Sequence, residues 1–156
     1  MERKLHNFEQ VKDVLDYGIE LHSQLRLLYR TLGRESGQER VRMLLDYLGR
    51  HERSRAEAMK RFEQTPHGGT LDVWLQYAPT REIERLMANC RISPDMTVED
   101  VVKIALDFAN ALIEIYKEAA RESDNPEARN IFLNLAEMEQ RERQRFIRDA
   151  EWMQDL

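Results

Sequence analysis

The 156-residue chain contains one cysteine, Cys90. That excludes an internal disulfide framework and any Cys-rich zinc finger. Glycine and proline are also scarce, at 6 and 4 residues, too few turn formers for a many-stranded sandwich or barrel. No apolar run approaches the ~20 residues of a membrane span. The opening residues, MERKLHNFEQVKD, lack the apolar stretch of a secretory signal, so the expected location is the cytoplasm. A formal net charge of −5 argues against nucleic acid as the main partner, and no membrane partner is expected.

Leucine, alanine, glutamate and arginine are abundant, which favours long helices. Hydrophobic residues make up 42%, enough for the core of a single domain spanning 1–156. Charged residues make up 34%, above the usual quarter. The cations comprise 19 Arg and 5 Lys. A biased composition accounts for such a skew, but Arg is also the better partner for partly buried carboxylates. The question is where this charge goes.

Helical periodicity marks four long segments in two pairs. The first runs from about Asn7, with Asn7 as its cap and Gln10 at the third helical position, to Gly33. The second runs from about Ser36, in a capping-box pattern with Glu39, to Gln64, and Pro66 follows it. The third runs from Thr97 to Glu122. The fourth runs from Pro126 to about Met153, capped by Asn125. Short turns make antiparallel hairpins at 7–64 and 97–154. The crossover, 65–96, is rich in Trp, Leu, Ile and Met, with a short helix expected from Thr80. It is long enough to run the length of the bundle, so the second and third helices can be parallel.

The two hairpins also repeat. An ungapped offset of 87 residues pairs Tyr29 with Tyr116, Leu25 with Leu112, Leu48 with Leu135 and Glu52 with Glu139. The same offset pairs the turn Arg34-Glu35-Ser36 with Arg121-Glu122-Ser123. One register across both helices and the turn points to a duplicated hairpin and a pseudo-two-fold axis.

Core seams spaced three and four residues apart are apolar at both ends of each helix. The first is Phe8, Val11, Leu15, Gly18, His22, Leu25, Tyr29 and Leu32. The second includes Leu48, Glu52, Arg55, Met59 and Phe62. The third includes Val102, Ala105, Ala109, Leu112 and Tyr116, and the fourth Leu135, Glu139, Glu142 and Phe146. Three seams are thus interrupted near the middle, by His22, by Glu52 with Arg55, and by Glu139 with Glu142. Ala109 leaves space on the remaining one. Each i, i+3 pair shares one helix face, so the pattern predicts a single polar layer inside the bundle. Three carboxylates against Arg55, and His22 if protonated, leave the layer at −1 or −2. A cation, a protonated Glu, water, or a nearby Arg50, Arg53 or Arg141 must close that deficit.

Two helical hairpins, a long crossover and Glu pairs on the second and fourth helices resemble the rubrerythrin branch of the ferritin-like superfamily. The resemblance implies an all-α, ferritin-like four-helix bundle. Such proteins build a di-iron site from one Glu on each of two helices and a Glu-x-x-His pair on each of the others. Here His22 and Ala109, each seven residues before a Tyr, stand at the single-Glu positions. Glu52 and Glu139 match the motif glutamates, and Arg55 and Glu142 stand where His is expected. The single cysteine leaves no Cys-rich rubredoxin-type module within these residues.

Three functional readings follow. In the first, Arg55 pairs with Glu139 or Glu142 and takes over the metal charge. The protein is then a structural or partner-binding module, expected as a homodimer without cofactor. In the alternative, His22, Glu52, Glu139 and Glu142 hold one or two Fe or Mn ions with oxidase, peroxidase or metal-handling activity. In the third, the seam thinned by Gly18, Ala105, Ala109 and Ala119 admits a small apolar ligand. His51 reads as an edge residue, Cys90 as partly buried, and 141–145 as mostly a solvated face. Trp152 is expected to pack on the crossover or a second subunit.

Overall fold

The computed structural model describes residues 8–77, 82–90 and 93–154. Four long helices dominate: α1 (Val11–Glu35), α2 (Glu39–Gln64), α4 (Val98–Glu122) and α5 (Pro126–Gln154). A short α3 (Glu82–Asn89) lies in the crossover. A small antiparallel ribbon joins β1 (Phe8–Gln10) to β2 (Trp74–Tyr77), with Phe8 opposite Tyr77 and Gln10 opposite Trp74.

The helix limits follow local chemistry. At α4, the Thr97 hydroxyl accepts from the Asp100 amide at 3.1 Å, and the Asp100 carboxylate accepts from the Thr97 amide at 2.9 Å. This is a reciprocal capping box. Asn125 caps α5 by accepting from the Glu127 and Ala128 amides, both at 3.0 Å. Two expected limits are corrected. The first helix begins at Val11, because residues 8–10 pair with β2; Asn7 lies outside the described residues. There the Asp13 carboxylate accepts from the Gln10 amide at 2.9 Å. The second helix begins at Glu39. Ser36 closes α1 instead, its amide donating to the Leu32 carbonyl, so the helix runs through Gly33.

Ser36 and Ser123 occupy equivalent places in the two hairpins. Each is buried, and each caps a 25-residue helix through its own amide. This is what the offset of 87 residues requires of the two turns.

The crossover runs the bundle from end to end. Near its start, the Thr70 hydroxyl donates to Glu127 at the beginning of α5, at 3.1 Å. In the same region the Val11 amide donates to the Val73 carbonyl, at 3.1 Å. Near its finish, the Gln38 side chain donates to the Asp95 carbonyl at 3.4 Å, close to the turn between α1 and α2. Thus α2 and α4 run parallel. The ribbon was not anticipated. Four residues of strand are too few to separate from an aromatic loop by periodicity alone, and the expected helix start at Thr80 lies outside the described residues.

The core follows the α1 seam from Val11 to Leu32 and adds Val14, Tyr17 and Leu21. On α4 it is wider than the expected seam. Val101, Phe108 and Ile115 are buried, whereas Val102 and Ala109 are half-buried. This helix packs against α3 and β2 as well as α5, so a second column of side chains faces inward. Phe62, expected on the seam, is 36% exposed. Trp152 is 65% exposed, and so does not pack on the crossover.

Gly18 is a close-approach position. A Cβ there would lie 2.2 Å from the Tyr116 hydroxyl oxygen and 2.9 Å from the Met59 methyl. The Tyr116 hydroxyl reaches past α1 to the Met59 sulfur, at 3.6 Å. In an open helix Gly→Ala gains about 1 kcal/mol. Here overpacking dominates, and Gly18→Ala is expected to cost about 1–3 kcal/mol in urea unfolding. Removing the hydroxyl with Tyr116→Phe should shrink that cost. An equal cost in both backgrounds would contradict the packing account.

Candidate functional site

The polar layer forms as one cluster at mid-bundle. His22 on α1 is 2% exposed and lies between the equivalent glutamates of the two hairpins. Its Nδ1 hydrogen-bonds Glu52 on α2, and its Nε2 lies 3.2 Å from Glu139 Oε1 on α5. Arg55, one turn beyond Glu52, donates from Nη2 to the same Glu139 oxygen at 3.0 Å. The helices set these heights. An antiparallel hairpin brings the middle of α1 beside the middle of α2, and the duplication repeats the arrangement for α4 and α5.

Charge is settled by mutual contact. Burial alone would neutralise His22. The charge of Glu52, the bonds to Glu139 and Glu52 and the charge of Glu139 outweigh it, raising its pKa from 6.5 to about 10. Burial likewise opposes the Glu139 carboxylate, but the bond and charge of His22, then Arg55, hold its pKa down to about 2. Arg55 also resists burial through Glu139 and stays a cation. The layer therefore sets an imidazolium and a guanidinium against the Glu139 carboxylate, with Glu52 and Glu142 beside them. Burial, followed by the glutamate charges, pushes the hydroxyls of Tyr29 and Tyr116 well above their usual pKa of 10.0, so both remain neutral phenols.

The offset of 87 residues sets unlike residues against one another in the layer. The symmetry mate of the Arg55–Glu139 pair is Glu142 with Glu52, two carboxylates that cannot bond when ionised. Glu52 turns to His22. Glu142 turns to His51 and Arg145, its Oε2 3.3 Å from His51 Nε2 and its Oε1 3.8 Å from Arg145. The His51 contact lies within ion-pair range without hydrogen-bond geometry, so Glu142 Oε2 is buried and unbonded, as is Arg55 Nε. The forked, two-point pairing that Arg55 can make is therefore not formed. The mate of His22 is Ala109, which leaves a cavity of about 40 Å³ beside the layer.

All four expected donors, His22, Glu52, Glu139 and Glu142, line that cavity together with Arg55 and Ala109. His51, read from the sequence as an edge residue, lines it too, as does Arg143. His51 precedes Glu52 directly, and only its approach to Glu142 across the hairpins brings it in. Arg50 and Arg53, expected to help balance the layer, instead pair along the surface with Asp46 and Glu57, at 3.1 and 3.3 Å. Arg141 borders a separate groove. The cavity is far below the ~150 Å³ of a dry apolar cavity that takes benzene, and it is lined by charge. The space expected beside Gly18 is occupied by the Tyr116 hydroxyl. A small apolar ligand therefore has no place here.

The residues do not fit a two-metal carboxylate centre. His22 turns both ring nitrogens to carboxylates, Nδ1 to Glu52 and Nε2 to Glu139, so neither could meet a metal without giving up a contact. Arg55 brings a fixed positive charge to the same carboxylate. Among the described residues, no three His, Cys, Asp or Glu side chains form a metal-holding group.

No protein-family model matches the chain, and no curated protein matches it. The fold does have a solved counterpart, the crystal structure of a candidate ferritin-like diiron-carboxylate protein from Thermotoga maritima. The two align with a TM-score of 0.57 at 19% identity, over 94% of this chain and 97% of that one. At that identity the likeness establishes architecture: the protein is an all-α bundle with the ferritin-like fold. Among the described residues no helix is long and apolar enough to cross a membrane.

The shifted groups give folding a pH dependence. His22, with its pKa raised to about 10, contributes fully below 6.5, and that contribution is lost as pH rises through 10. Glu139, with its pKa lowered to about 2, contributes above 4.5, and that contribution is lost as pH falls through 2. Between about pH 7.5 and 9 His22 holds about one proton more in the folded than in the unfolded state, so its contribution should lower the folding constant about tenfold per pH unit. Denaturant titrations should show this slope in the wild type and not in His22→Gln. An equal slope in both would remove His22 as its source.

Proposed function

We propose that this protein is a rubrerythrin-like bundle whose di-iron centre has been replaced by an internal ion network, and that it acts as a structural or partner-binding protein. One observation carries the reading. Two cationic side chains, His22 and Arg55, converge on Glu139 Oε1 at 3.2 and 3.0 Å. These cations supply charge that a metal would otherwise supply. Glu52 and Glu139, the glutamates common to both hairpins, are kept as acceptors in the network. The positions that depart from the ligand pattern depart together: a cation at Arg55, a small side chain at Ala109, and a second carboxylate at Glu142.

The homodimer belongs to this reading. Leu27, Met43 and Trp74 are large, exposed apolar side chains away from the polar layer, available for a second copy to cover.

Breaking one partner of a buried pair leaves an uncompensated charge. Arg55→Ala and Glu139→Ala should each cost roughly 3–5 kcal/mol, and an apolar Arg55→Met, Glu139→Leu double variant much less. Chelators should leave the melting temperature unchanged. After Fe(II) or Mn(II) loading, bound metal should stay below about a tenth of an equivalent. Stoichiometric metal with a chelator-sensitive melting temperature would overturn this reading in favour of an altered Fe or Mn site.

A further inference from the structure

The outward stripe of α5 meets the polar layer only at its edge, where Arg145 lies 3.8 Å from Glu142. Arg141, Arg145 and Arg148 follow at spacings of four and three, so they share one helix face, and all three are exposed. Elsewhere on the surface, cations pair with acids along their own helix: Arg50 with Asp46, Arg53 with Glu57 and Lys103 with Asp107, at 3.0–3.3 Å. On this stripe, among the described residues, only Arg145 has a carboxylate within 4 Å, that of Glu142 at 3.8 Å. Glu137, one turn before Arg141, makes no such pair.

The amino-terminal end of the stripe opens into an apolar groove. Arg141 borders a cleft of about 350 Å³ between α2 and α5, walled by Phe62, Ile131 and Met138. That volume falls within the ~300–1,000 Å³ of ligand clefts. An apolar groove continued by a row of cations matches one recognition mode, an amphipathic helix laid in a groove.

We propose that this groove and the arginine stripe of α5 form the docking surface for an acidic amphipathic helix of a partner protein. Its apolar side chains enter beside Phe62 and Met138. Its carboxylates, one helical turn apart, face Arg141, Arg145 and Arg148. This deepens the partner-binding reading above and rests on it, but not on the metal content of the polar layer. The overall charge of −5 does not oppose docking at contact range, because screening confines such fields to about 8 Å in physiological salt. A second copy is the poorer occupant. A two-fold axis crossing the stripe at Arg145 would set Arg145 against Arg145, and like charges across an interface are costly.

The probe is a synthetic peptide helix with Leu at i and i+4 and Glu along the flanking face, read by fluorescence anisotropy on the full chain. A charge-reversed Lys peptide serves as its control. The acidic peptide should bind saturably and the basic one should not. Arg145→Glu with Arg148→Glu should weaken binding at least about tenfold, and Phe62→Asp should do so independently. Both positions are exposed, and unchanged thermal melts would show that the variants fold. Equal binding of both peptides, no binding, or no loss in the Arg variant would overturn the proposal. So would sedimentation that shows a dimer abolished by the Arg variant. None of these outcomes touches the chelator result that tests the polar layer.

Discussion

A protonated histidine held between two glutamates is the contact on which the rest of this bundle depends. His22 reaches Glu52 in its own hairpin and Glu139 in the other. It is therefore both the link between the two halves and a counter-charge beside the buried Glu139 carboxylate. An isolated carboxylate in such a place would be neutralised or would destabilise the fold. With an imidazolium and a guanidinium beside it, Glu139 is instead held more acidic than usual.

The arrangement is lopsided because residues 87 positions apart differ at key places. Two equivalent hairpins meeting about a pseudo-two-fold axis would repeat every contact, yet the layer breaks symmetry at two places. His22 has no counterpart opposite it, because Ala109 stands there. Arg55 has Glu142 as its counterpart, a reversal of charge. The pair that Arg55 makes with Glu139 therefore has no mate, and Glu142 is left to His51 and Arg145 at the edge. Arg55 and Glu142, which carry the two unbonded atoms Nε and Oε2, both line the small cavity. A buried ion network of this kind specifies which surfaces meet more than it adds net stability.

Much of this was legible in the sequence, for physical reasons. A polar residue on an apolar seam stands out because burial makes it expensive. His22, Glu52, Arg55, Glu139 and Glu142 were therefore visible as one layer, and the repeat fixed their heights. The reach of each side chain was not legible. Arg55 makes one bond to Glu139 rather than a fork, and His51, one position off the seam, enters through Glu142. Helix starts were legible where the cap is local, as at Thr97 and Asn125. They were misplaced at Val11, where pairing with a strand more than sixty residues away decides where the helix begins. The same long-range dependence hid the β1–β2 ribbon and the second buried column on α4.

The protonation state of His22 decides between a bundle that carries its own counter-charge and one that awaits a metal. Histidine-selective ¹⁵N NMR reads that state at both ring nitrogens. The present account predicts imidazolium signals for His22 through pH 8, unchanged when Fe(II) or Mn(II) is added. A neutral imidazole at pH 8, or a His22 signal shifted or broadened by stoichiometric metal, would contradict it.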